Sequence, residues 1–162
     1  MRHVISAAPT VDVGALARRL ADGRPVIADP SQALCTRYGY QTLYEVPAEL
    51  QKRLRLELIA GHAQALAADA DAVCDHSVFA WLADWMRWLW ADTPAEEWDA
   101  VLAEAQPAVE RSEVIHHVLD GPRAAYDGYR WLDEGNARQV ERLMRGLYRD
   151  FGCEDRVKEV RL

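Results

Sequence analysis

With 162 residues, half of them apolar, the chain has material for one globular domain with a full core, which excludes a disordered segment and a two-domain enzyme. Its 26 acidic against 19 basic residues give a net charge of −7, which repels a polyphosphate backbone and disfavours broad nucleic-acid binding. Cys35, Cys74 and Cys153 are widely spaced without a CxxC pair, as expected of reduced thiols, and no window reaches the roughly 18 uncharged apolar residues of a membrane span, so a cytoplasmic protein is expected. Only Lys52 and Lys158 are lysines, which nearly excludes chemistry that needs a lysine amine.

The run Val4, Ile5, Ser6 predicts a strand, and residues 13–20 have helical periodicity ending at Gly23. Residues 24–29 predict a second, buried strand closed by Asp29 and Pro30, after which Tyr38, Gly39 and Tyr40 mark an irregular segment. Pro47 opens a long helix to about Ala68, with Leu50, Leu54, Leu58, Ala65 and Leu66 on one face. Residues 72–75 predict a third strand, and Ser77 caps a helix on which Trp81, Trp85 and Trp88 recur at helical spacing. Further on come a helix from Pro94 to about Glu104, a strand over 113–121, a basic helix from about Asn136 to Phe151 and a final strand over 156–162. Strands alternating with long helices predict an α/β domain of three layers, with a parallel sheet of about five strands, spanning residues 1–162.

In parallel sheets the ligand lies beyond the carboxyl ends of the strands, which here are followed by residues 7–14, Asp29, residues 75–77 and residues 120–130. Four stretches in this order, residues 4–9 before a helix, 25–29, 75–79 and 127–130, resemble the P-loop nucleoside and nucleotide kinase-like proteins, such as the thymidylate kinase-like and deoxynucleoside kinase-like families. The resemblance implies a three-layer kinase-like fold over nearly the whole chain. It departs from the family in the phosphate loop, where GxxxxGK[ST] supplies glycines for close N–H approach, a lysine for the β and γ phosphates and a hydroxyl for magnesium. Ala7 and Asp12 stand for the two glycines, Val13 for the lysine and Gly14 for the hydroxyl residue.

The resemblance implies that Asp29 acts as a base toward a substrate hydroxyl, that Asp75 helps hold magnesium, and that His76 replaces an arginine on substrate phosphate. Asp75 also reads as a helix cap with Ser77, and Asp29 as a turn acid beside Pro30. Arg123, Arg130 and Arg138 fall in the lid-like stretch, where arginines stabilise a transferring phosphoryl group. His116 and His117 point to opposite faces of a strand and cannot share one metal, and with His76, Cys74 and Asp75 as the further candidates no metal site is expected.

Five of the six tryptophans lie between Trp81 and Trp98, too many for one helix face, so Trp85, Trp88 or Trp90 is expected in a homodimer or partner interface with an acidic rim from Asp84, Asp92, Glu96 and Glu97. The expected function is a non-catalytic relative of these kinases that binds a partner or a nucleoside-like molecule in the acceptor cleft, without a cofactor. The alternative is an atypical kinase or repurposed enzyme using Asp29, Asp75, His76 and the lid arginines, and only then ATP and magnesium.

Overall fold

The first apolar run forms β1 (His3–Ala7), and the helical period after it forms α1 (Gly14–Ala21), ended by Asp22 (φ 49°) and Gly23 (φ 83°) in the left-handed conformation. The computed structural model describes residues 1–125 and 132–162, the side chain of Leu43 excepted. β2 is reduced to Val26–Ile27, and α2 (Ser31–Arg37), which the sequence pattern does not predict, follows before the irregular segment at Tyr38, because Asp29 Oδ1 accepts a hydrogen bond from Ser31 N (2.8 Å) and starts the turn. α3 (Ala48–Ala68), β3 (Val73–Cys74) and α4 (Val78–Trp88) fall where the periodicity puts them. α5 (Ala95–Arg111) passes Glu104 and contains Pro107, since Val101, Ala105, Ala108 and Val109 are all buried and their packing outweighs the hydrogen bond that proline removes. β4 (Val114–Asp120), α6 (Glu134–Asp150) and β5 (Val157–Arg161) complete the order.

The five strands form one sheet in the order β2-β3-β1-β4-β5, with every neighbouring pair parallel, so each connection crosses over through at least one helix. Alternate residues of β1 serve two cores. Val4 joins Leu58 of α3, Phe79 and Trp85 of α4, Ala105 of α5 and Met144 of α6. Ile5 joins Leu16 and Ala17 of α1 and Val118 of β4 on the other face. Each fully buried large aliphatic or aromatic side chain contributes roughly 1.5–3 kcal/mol, so the four-helix face holds most of the apolar stabilisation.

This arrangement corrects the interface expectation for Trp85. It is 0 % exposed within its own chain, with Nε1 donating to Thr93 Oγ1 (3.0 Å), because α4 is enclosed by α3, α5 and α6 and therefore buries more than one face. Trp88 is partly buried with its edge against Tyr44, whereas Trp90 is 51 % exposed beside Trp98. Among the described residues no helix is long and apolar enough to cross a membrane.

Candidate functional site

Parallel strands bring their carboxyl ends to one edge, and the loops leaving them line two clefts that share Ala8 and Val11. The loop between β1 and α1 is tied down. Val11 bridges Arg123 in antiparallel fashion, Asp12 N donates to Pro122 O (2.8 Å), and Ala124 N donates to Thr10 O (2.8 Å). Gly14 N donates to Asp12 Oδ1 (2.9 Å), so a carboxylate of this chain sits at the N-terminus of α1, where exposed N–H groups and the helix dipole favour an anion. A Cβ at Gly14 would come within 3.2 Å of that oxygen and 3.3 Å of the Arg18 guanidinium, which explains the small residue there.

The first cleft brings Asp29, Asp75 and His76 together beside Ala7 and Val13, the juxtaposition implied by their positions after β2, β3 and β1. Asp75 Oδ1 accepts from Asp29 N (2.8 Å) and lies 3.1 Å from His76 Nδ1, while Asp29 Oδ1 accepts from both N and Oγ of Ser31. Both carboxylates therefore have structural work as loop and helix-start acceptors. Ser77, the residue after His76, caps α4 through Ala80 N (3.4 Å) and shares a 2.6 Å hydrogen bond with Ser6 of β1, which fixes the cleft's floor.

The other predicted residues divide. Arg123 and Arg138 line the second cleft with Asp120, Glu134 and Glu141, whereas His76 lines the first, and the two clefts meet at Ala8 and Val11. Arg123 pairs with Glu134 (3.2 Å), and Arg138 Nε donates to Glu134 O (3.3 Å). The bridge between Val11 and Arg123 ties the second cleft's rim to the β1–α1 loop. Arg130 lies outside the described residues.

Sequence reasoning passed over Tyr44, read Trp81 only as part of a helix stripe and expected Asp84 on an interface rim, whereas all three line the first cleft, arriving from the segment before α3 and from α4. Asp84 pairs with the fully buried Arg55 of α3, and Trp81 Nε1 donates to Ser31 Oγ (3.1 Å). Behind His76 lies His62 of α3, whose pKa burial, and then the neighbouring His76, pull down to about 3. Burial, followed by Asp75, pushes the Cys74 thiol up to about 12, and burial with Asp84 nearby raises the Tyr44 phenol. Among its described lining residues the first cleft has three carboxylates, one histidine and two large aromatics, and neither lysine nor arginine.

No protein-family model matches the chain, and no curated protein matches it in sequence. Its fold is similar to a solved structure of the NadR protein in complex with NAD and AMP-PNP, with a TM-score of 0.59 and 14 % identity. The similarity covers 98 % of this chain and 44 % of that one, so the chain spans less than half the length of that protein. The five-stranded parallel sheet with its flanking helices matches a P-loop kinase-like fold.

Proposed function

We propose that this chain is a kinase-like protein without a working triphosphate cradle, which binds a nucleoside-like molecule in the first cleft and transfers no phosphoryl group. The observation that carries this reading is the β1–α1 loop, where Gly14 N and Asp12 N are already hydrogen-bonded within the protein and the Asp12 carboxylate lies at the helix N-terminus. A phosphate there meets repulsion: two unit charges about 4 Å apart interact by roughly 4 kcal/mol at an effective dielectric near 20. Val13 supplies no cation in the lysine's place, and the Arg18 guanidinium beside Gly14 lies next to the Asp12 carboxylate. Phosphoryl transfer depends almost wholly on positioning and charge stabilisation, so losing both leaves binding as the remaining use.

The cleft chemistry supports the choice of ligand. Tyr44 and Trp81 offer aromatic faces, and Asp29, Asp75 and Asp84 offer acceptors to N–H and O–H groups, whereas a phosphate finds no cation among the described lining residues. The NadR protein of similar fold holds AMP-PNP and NAD, and base with ribose is the part those ligands share with a nucleoside. A second copy of the chain is proposed to dock at Trp90, the tryptophan left 51 % exposed.

Calorimetry with magnesium-ATP is expected to give no saturable isotherm with a dissociation constant below about 100 µM. A thermal-shift panel is expected to show nucleosides outperforming their monophosphates, a ligand at about 100 times its dissociation constant adding roughly 2.7 kcal/mol. A saturable ATP isotherm overturns the lost-cradle reading, and a panel in which no nucleoside shifts the melting temperature overturns the choice of ligand.

A further inference from the structure

His62 is 2 % exposed, and neither of its ring nitrogens has a hydrogen-bond partner among the described residues. Native proteins rarely bury both nitrogens of an imidazole without a water, ion or ligand to meet them. Its ring packs 4.7 Å from the ring of His76, centroid to centroid. The ligand atoms of His62, Cys74 and His76 all lie within 4.8 Å of one another, and all three residues are buried. α3, the end of β3 and the loop before α4 deliver one each, so the cluster belongs to the folded core and not to a mobile surface.

We propose that His62, Cys74 and His76 bind one zinc-type divalent cation at the base of the first cleft. Two imidazoles and a thiolate form a donor set that borderline-soft ions prefer, and three protein ligands leave a fourth position for solvent or a ligand of the cleft, which His76 also lines. His76 has its outer partner in place: Nδ1 lies 3.1 Å from Asp75 Oδ1, an arrangement that puts the proton on Nδ1 and leaves the Nε2 lone pair for the cation. Trp81 packs against both rings, at 5.5 Å from His62 and 5.0 Å from His76, and shields the site from water on that side. Coordination bonds of 2.0–2.3 Å set tetrahedral ligand atoms about 3.3–3.8 Å apart, so binding needs the three groups to draw together by no more than about 1.5 Å. Cys74 gives its S–H proton to solvent and its sulfur lone pair to the cation, while the imidazoles coordinate neutral. The inference does not depend on the nucleoside reading, since it rests on the placement of His62, Cys74 and His76 and its test uses the metal alone.

The test uses the full chain, reduced and stripped with a chelator, titrated first with cobalt(II) alone and then with zinc(II). One equivalent of cobalt is expected to produce a thiolate-to-cobalt charge-transfer band, which zinc then abolishes. Cys74→Ser is expected to lose the band, and His62→Gln to weaken binding at least about tenfold with the circular dichroism unchanged. Cys35→Ser and Cys153→Ser are expected to keep the band. The proposal is overturned if folded wild-type protein shows no charge-transfer band, if the band survives Cys74→Ser, or if binding is untouched by His62→Gln but lost in His3→Gln. Should His62→Gln fail to fold, the wild-type band and its loss in Cys74→Ser decide the question.

Discussion

Arg55 carries its guanidinium into the interior at 0 % exposure, where Asp84 and Gln51 Oε1 (2.9 Å) receive it. Removing one partner of such a pair leaves an uncompensated buried charge. Asp84→Ala is therefore expected to lower stability by about 2–4 kcal/mol in urea unfolding, less than the full effect of a deeply buried pair because the Asp84 side chain is 20 % exposed. Arg55→Met together with Asp84→Leu is expected to recover most of that loss, which separates a buried-charge penalty from a simple loss of contact. His116 contributes to the acid limb, together with the buried His62. The His116 ring stacks on His3, and burial first, then His3, Lys158 and Arg19, depress its pKa from 6.5 to about 4. The unfolded chain thus binds more protons than the folded one between pH 6.5 and about 4, so stability falls as pH drops through that window, by at most about 1.4 kcal/mol per unit from this group, and the slope ends below it. His116→Gln is expected to flatten that limb in unfolding experiments run across the window, and an unchanged slope would reassign it to other groups.

At the scale of elements, α4 shows what a sequence signals locally. Ser77 before an apolar run marks the helix start, and its hydroxyl caps Ala80 N while bonding Ser6 of β1. Ser77→Ala removes both contacts and is expected to cost about 1–2 kcal/mol, seen as a melting temperature lower by several degrees. α3 was equally legible through Pro47 and its leucines, although its buried set also includes Lys52, Arg55 and His62, which an apolar stripe does not reveal. α2 and the last turns of α5 were not legible, because one depends on the Asp29 carboxylate folding back on Ser31 and the other on core packing that tolerates Pro107.

The whole molecule divides its candidate residues by topology. Asp29, Asp75 and His76 line one cleft, Arg123 and Arg138 another, and the two share Ala8 and Val11 of the β1–α1 loop. A dimer through Trp90 predicts a light-scattering mass near twice 18.3 kDa, lost in Trp90→Glu with the fold retained, and a one-chain mass at every concentration removes that surface from the proposal.

The sequence by itself determined the alternation of strands and helices, the start of α4, and the meeting of Asp29, Asp75 and His76, because parallel strands must bring their carboxyl ends to one edge. Its resemblance to the P-loop kinase-like proteins also set Ala7, Asp12, Val13 and Gly14 against the phosphate-loop positions, which is an expectation carried into the proposed function. Only the tertiary structure decided that Trp85 is enclosed by its own chain and that His62 reaches Cys74 and His76. These depend on how separate elements pack, which is not a property of residues close in sequence.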